Sequence, residues 1–510
     1  MPKIEVQQEP FFNYIGRTLT TEELEKILPV AKAELEDRDD EIGVIKIELN
    51  DTNRPDLWST AGLARQLKVF LTGEIPSYPF FSDERKKQDA AHRKIIVDPK
   101  LASIRPYITG FVVKGKPITD PVLIDIIQSQ EKLCWNFGRK RKAIAMGVYR
   151  NDLITYPIKY TAADPDATSF VPLEEEKPMS LREILEHHPK GREFGSIVEG
   201  FQTYPFLTDD TGEVLSFPPI INSAHVGAVQ VGDTELFIEL TGTDLNSLTL
   251  ATSIIACDLA DSGYTILPVE VVYPYDTSMG REVVTPFYFQ ERIGVDINVA
   301  NKLLGSRLNA KEAAGVLRKM GYEGSVEGNT ITISPPEYRN DFLHPVDLME
   351  DVMIGRGTNE FEPVLPMDFT AGRLSAEELF ARSVKDTMVG LGYQEMVYNY
   401  LGSRKDFIEK MGIDESPVVR IANPMTENYE YVRNSILPSL LSTEAVSANA
   451  VYPHRIFEIG KVAYHDREAN HGSVTRNWLG FLDADADSNF NDLHSMVSAV
   501  FYYLSREYTL

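Results

Sequence analysis

The chain has 510 residues and a mass of 57.4 kDa, too long for one compact core, so several domains are expected. Hydrophobic residues make up 43% and charged residues 25%, which excludes a disordered tail or fibrous repeat, and no apolar run reaches the roughly 18 residues of a membrane helix. Acidic residues outnumber basic ones 76 to 51, for a formal net charge of −25, so any work on nucleic acid needs a local basic patch or a basic partner. The start, Met1-Pro2-Lys3-Ile4-Glu5, lacks the basic-then-apolar pattern of a signal peptide, and a cytoplasmic address is expected. The 2 cysteines, Cys134 and Cys257, build neither a disulfide framework nor a zinc site, and the 9 histidines show no metal spacing.

Four blocks follow in chain order. In the first, residues 1–90, Thr20 caps a helix with acidic first-turn residues, and the alternation from Gly43 to Leu49 predicts a strand. The loop Asn50-Asp51-Thr52-Asn53-Arg54-Pro55-Asp56 then leads into a helix through Leu63, Leu67 and Phe70. The polar run at residues 82–89 reads as a linker or an exposed helix edge. The second block, 91–275, is strand-rich, with helices expected over 121–137 and 245–262, and suits an α+β domain. In the third, 276–357, Asn309 caps a helix with apolar positions Ala313, Val316, Leu317 and Met320, and Gly321 stops it. The strand Thr330-Ile331-Thr332-Ile333 follows, and the whole suits a small winged or helix-turn-helix unit. The fourth block, 358–510, opens with a long amphipathic helix over 374–388 and continues as mixed strands and helices.

Three constellations carry candidate chemistry. Asp347, Glu350 and Asp351 fall at i, i+3 and i+4 on a helix that Pro345 starts, and Asp341 arrives from the preceding loop. Four carboxylates so placed suit a hard ion such as Mg²⁺, while acidic residues also favour the first turns of any helix. Spacing alone leans to the second reading. Between Pro205 and Asp244, apolar strands run into Ser216, Asn222 and Glu239, a pattern of a pocket rim with a few placed polar groups. Equally, Glu239 reads as a solvated residue on the polar face of a half-buried strand. The stretch Gly138-Arg139-Lys140-Arg141-Lys142 places 4 cations in an acidic chain. It suits either contact with a phosphate backbone or an ordinary solvated turn.

Together these motifs resemble the phenylalanyl-tRNA synthetase beta-subunit family. Asn53-Arg54-Pro55-Asp56-Leu57 with Gly62-Leu63-Ala64-Arg65 is similar to its N-terminal B1 domain, and Arg105-Pro106-Tyr107-Ile108, the basic stretch, the segment 215–223 and Thr241-Gly242-Thr243-Asp244 to its B3/B4 domain. Arg339-Asn340-Asp341 with residues 347–351 resembles B5. Asn423-Pro424-Met425, the run 432–438 and Phe457-Glu458-Ile459-Gly460 resemble its class II synthetase-like module. The 215–223 and 241–244 segments, with the lack of an oligonucleotide-binding insertion near the start, imply the shorter archaeal/eukaryotic type.

The resemblance implies a multidomain α+β fold: an N-terminal B1-like domain at 1–90, a B3/B4 editing domain at 91–275, a winged-helix-like B5 domain at 276–357 and a catalytically silent class II-like antiparallel-sheet module at 358–510. It implies an (αβ)₂ phenylalanine-tRNA ligase in which the alpha subunit binds ATP and charges tRNA-Phe, while this chain hydrolyses mischarged tyrosyl-tRNA. The editing pocket it implies comprises Leu207 as wall, Ser216 and Asn222 as polar anchors and Glu239 as receiver of the tyrosine phenol. It also implies Mg²⁺ at Asp341, Asp347, Glu350 and Asp351. Arg433 falls near the place of a motif 2 arginine, whereas the glycine-rich arginine signature of motif 3 is absent, and the final strands of the module are expected to be missing at the C-terminus. The alternatives are a non-catalytic tRNA-binding scaffold and a stand-alone aminoacyl-tRNA deacylase.

Overall fold

A computed structural model describes residues 3–82, 90, 92–368, 370–447 and 449–509. The polar run expected as a linker at 82–89 lies, apart from Ser82, outside the described residues. The chain divides into two compact units, 1–363 and 364–510.

The first unit opens with strands β1 (Lys3–Gln7), β2 (Ala33–Asp39) and β3 (Val44–Leu49), ordered β1-β3-β2. Helix Thr21–Ile27 begins as expected, with Thr20 accepting from the Glu23 amide and the Glu23 carboxylate accepting from the Thr20 amide. Helix Thr60–Thr72 is capped by Ser59, and its residues from Thr60 to Leu67 are all buried.

The large sheet follows. Its strands are β4 (Lys94–Val97), β5 (Tyr107–Lys114), β6 (Ile144–Arg150), β7 (Ile158–Ala163), then, after a small separate pair β8 (Ser169–Phe170) and β9 (Met179–Ser180), β10 (Tyr204–Thr208), β11 (Val214–Phe217), β12 (Ile221–Asn222), β13 (Glu235–Gly242), β14 (Thr265–Val272) and β15 (Glu282–Thr285). The 10 strands run β12-β11-β10-β7-β4-β14-β5-β13-β6, with β15 beside β14. β15 carries the sheet past the boundary expected near residue 275. Helix Asp120–Lys132 and helix Leu245–Asp261 fall where apolar periodicity predicts them, and the latter packs on β5, β13 and β14. The register is set by alternation along β13, where Leu236, Ile238 and Leu240 join one core and Phe237 joins another.

The two ends of that order come together, β6 against β11 and β12. Tyr149 in β6 donates its hydroxyl to Ser216 Oγ at 2.8 Å, and Asn222 Nδ2 in β12 donates to the Val148 carbonyl at 3.2 Å. The N-terminal block is bolted to this domain by buried polar contacts. Arg65 donates to Asp258 at 3.0 Å and Asp261 at 2.7 Å, and Ser59 to Asp258 at 2.6 Å.

Residues 293–356 form a compact group in which strands Ile293–Asp296, Thr330–Ile333 and Gly324–Glu327 pair in that order. Helix Ala310–Lys319 has the Asn309 cap, and Gly321 follows with φ of +105°, a left-handed stop that glycine adopts without strain. Helix Pro345–Arg356 completes the group.

The second unit, described by itself, pairs the long strands His454–His465 and Ser473–Ala484 antiparallel, with Gln394–Glu395 beside the first. Helices Ala376–Gly390, Leu437–Val446 and Phe490–Tyr503 accompany them. Among the described residues, no helix is long and apolar enough to cross a membrane.

Candidate functional site

Where the two ends of the large sheet meet lies a cavity of about 460 Å³ whose lining includes Gly147, Tyr149, Ser216, Asn222, Glu239 and Arg141. That size falls within the range of small-molecule sites. Glu239 stands in the middle of β13, between β5 and β6, and is 2% exposed. The solvated-strand reading of Glu239 therefore gives way: its neighbours are strands on both sides, and the surface of the sheet here is covered. Its Oε2 accepts from the Gly147 amide at 3.1 Å. Burial pushes its carboxyl up to about 8, against the pull of the Arg105 guanidinium and the Gly147 amide. A perturbed acid inside a cavity marks a candidate functional site.

Gly147 is there because nothing larger fits. A Cβ at this position would stand 2.1 Å from the Tyr149 hydroxyl, so glycine lets the strand pass close under the ring. Ser216 and Asn222 face each other across the β11/β12 ladder, and both line the cavity with Glu239. Leu207 does not line it. It pairs with Ser216 across the β10/β11 ladder but is fully buried in the core with Tyr160 and Phe237. Sequence reasoning missed Gly147 and Tyr149; an isolated glycine inside the apolar strand Ile144–Arg150 was the available signal.

The expected acidic site has a different arrangement. Arg339 lies between two of its carboxylates, donating to Asp341 at 2.9 and 2.6 Å and to Asp351 at 2.6 Å. Tyr322 also donates to Asp351. Burial alone would raise Asp341, but Arg339 beside it holds it at about 2. Asp347 accepts from the Leu343 and His344 amides at 2.7 and 2.6 Å, closing the helix start. Glu350 takes the ammonium of Lys32 at 3.0 Å. Each of the four is thus satisfied, Asp341 and Asp351 by the shared Arg339, Glu350 by Lys32 and Asp347 by two amides. They do not converge on a common point, and among the described residues no group of three or more metal-ligating side chains does. The arrangement as it stands does not fit a bound Mg²⁺, because Arg339 supplies the charge that an ion would.

Arg433 is also committed elsewhere. Fully buried, it forms a two-pronged pair with Glu458 at 2.7 and 2.8 Å and donates to the Lys461 carbonyl at 2.9 Å. A Cβ at Gly460 would stand 2.1 Å from its Nη2.

Three family models match: the Phe-tRNA synthetase beta subunit B1 domain over residues 1–73, the tRNA synthetase B5 domain over 293–357 and the phenylalanyl tRNA synthetase beta chain CLM domain over 362–509. The phenylalanine–tRNA ligase beta subunit of Borrelia turicatae is 49% identical over 100% of this chain and 90% of its own length. The chain belongs to the phenylalanine–tRNA ligase beta-subunit family. The same subunit of Borrelia recurrentis is 50% identical over 99% of this chain and 89% of its own length. Among solved structures, an N-terminal fragment of the phenylalanyl-tRNA synthetase beta subunit from Pyrococcus horikoshii is 38% identical with a TM-score of 0.65, covering 70% of this chain and 100% of the fragment. As a member of this ligase family, the chain has its cavity in the segment between the matched B1 and B5 domains.

Proposed function

We propose that the chain is the beta subunit of an (αβ)₂ phenylalanine–tRNA ligase of the archaeal/eukaryotic type, and that its large sheet domain removes tyrosine from wrongly charged tRNA-Phe. The buried Glu239 carboxyl at the cavity carries this reading. A pocket shaped for phenylalanine rejects tyrosine by only about 10², whereas a site that must bond a hydroxyl rejects the analogue lacking it far more strongly. Glu239 supplies that demand: a tyrosine phenol pairs with its carboxyl, while phenylalanine leaves a buried polar group unpaired at a cost of about 1–3 kcal/mol. Ser216 and Asn222 hold the ester end.

Ser216 accepts from the Tyr149 hydroxyl at 2.8 Å, and among the described residues no histidine or cysteine lines the cavity. Among the described residues no base is hydrogen-bonded to Ser216 to activate it as a nucleophile, and the attacking group is a positioned water. A non-catalytic scaffold would have no use for a titratable acid buried inside a cavity.

The alpha-subunit partnership is supported by the second unit. Leu379, Phe380 and Val389 on helix Ala376–Gly390 and Leu437 and Leu441 on helix Leu437–Val446 are exposed, more apolar surface than an unpartnered module usually shows. The commitment of Arg433 to Glu458 fits a module without synthetic chemistry. The archaeal/eukaryotic assignment is supported by the 38% identity to the Pyrococcus fragment. The test is co-expression with a class II alpha chain. The complex is expected to charge tRNA-Phe with phenylalanine and to deacylate tyrosyl-tRNA-Phe; a complex that charges but leaves tyrosyl-tRNA intact refutes the editing half.

A further inference from the structure

Residues 138–142 are folded in an unusual way. Arg139, Lys140 and Arg141 have φ of 51°, 56° and 66°, three consecutive left-handed residues without a glycine among them. Each such residue costs roughly 1–2 kcal/mol. The turn is held against that cost by the Lys140 and Arg141 amides, which donate to the Trp135 and Cys134 carbonyls at 2.9 Å each. Gly138 is obligatory beneath it, since a Cβ there would lie 2.5 Å from the Ile144 carbonyl oxygen.

The strain buys a particular display of charge. Arg141 turns inward to line the Glu239 cavity. Its Nη1 donates to the Pro219 and Ile220 carbonyls at 3.1 and 2.9 Å, and its guanidinium lies 4.2 Å from the Phe194 ring centre. Arg139 turns the other way and lines a neighbouring cleft of about 990 Å³ together with Lys132 and Trp58. Among the described residues, the ion pairs include none made by Lys132, Arg139, Lys140, Arg141 or Lys142. Lys3, also in the cleft, is instead spent on Glu36. In a chain with 76 acidic residues, a run of cations without carboxylate partners marks a place kept for an outside anion. The cleft shows a second sign: Trp58 is 2% exposed, and its buried indole Nε1 has no hydrogen-bond partner.

We propose that this turn docks the phosphates of the single-stranded 3′ end of the aminoacylated RNA, with Arg139 and Lys132 taking phosphates in the outer cleft and Arg141 the one at the cavity mouth. The inference rests on the editing reading above, because only an ester-bearing RNA has reason to thread both spaces. Guanidinium forks suit phosphate oxygens. The contact reads charge rather than sequence, as the entry of a common 3′ end requires.

The test uses the complex with its alpha subunit and two substrates, tyrosyl-tRNA-Phe and 3′-O-tyrosyl-adenosine, which fills the cavity but carries no phosphate. Arg139→Gly removes a cation and also relieves the left-handed backbone, so misfolding cannot explain its effect; Lys132→Gln is combined with it. The double variant is expected to raise KM for tyrosyl-tRNA about tenfold or more, with kcat nearly unchanged and a shallower salt dependence, while tyrosyl-adenosine is hydrolysed as before. Unchanged KM and salt dependence would overturn the proposal, as would equal loss on both substrates. If the parental complex hydrolyses neither substrate, the editing reading fails instead, and binding of a short 3′-terminal RNA to the same variants still decides the docking site: weaker binding upholds it, equal binding overturns it.

Discussion

The Arg54 guanidinium lies 4.0 Å from the Asp341 carboxylate, so two loops distant in sequence share one buried charged cluster. Arg54 donates to Asp56 at 2.8 Å through two nitrogens and to Gln66 at 3.1 Å, and Arg339 closes the far side on Asp341 and Asp351. Removing one member leaves its partners charged and dry, a loss of about 3–5 kcal/mol. Arg339→Ala is therefore expected to lower unfolding free energy by that amount in denaturant titration, and Arg54→Ala by a comparable one.

Asp347 closes the start of helix Pro345–Arg356 by accepting from two amides. Asp347→Ala is expected to cost about 1 kcal/mol, read as the same fall in melting temperature with magnesium and with chelator. A loss confined to magnesium would show that the four carboxylates gather around an ion.

Gly147 leaves no room for a methyl group beside the Tyr149 hydroxyl. Gly147→Ala is expected to displace that ring, break its bond to Ser216 and cut tyrosyl-tRNA hydrolysis at least tenfold. Phenylalanine charging by the complex should continue unchanged.

Glu239 has a pH signature. Its pKa is raised from 4.5 to about 8 in the fold, so between these values the unfolded chain has lost a proton that the folded chain keeps. This contribution to stability is complete below pH 4.5, falls as pH rises at up to about 1.4 kcal/mol per unit, and levels off above about 8. Glu239→Gln removes the slope. The stability difference between variant and parent should shift in favour of the variant from pH 5 to 8 and flatten above about 9, as measured by denaturant unfolding.

Much of the local structure was legible in the sequence because it is locally determined. The Thr20 and Asn309 caps, the Gly321 stop and the helix at Pro345–Arg356 each follow from a few neighbouring residues. What sequence could not supply was set by long-range pairing. Glu239 alternates along β13 like a surface residue, and only its place between β5 and β6 buries it. Leu207 and Ser216 are ladder partners, yet only one reaches the cavity. The acidic stripe was visible, but not that Arg339 and Lys32 would claim its carboxylates. Left-handed backbone at Arg139, Lys140 and Arg141 had no glycine or asparagine to announce it.

The most direct test of the account is tyrosyl-tRNA-Phe hydrolysis by the assembled complex carrying Glu239→Ala. The expected result is that mischarged tyrosyl-tRNA persists, with hydrolysis lowered by on the order of 10² or more, while phenylalanine charging matches the parent. Hydrolysis of tyrosyl-tRNA at the parental rate would contradict the account, because the buried carboxyl would then have no part in recognising the phenol.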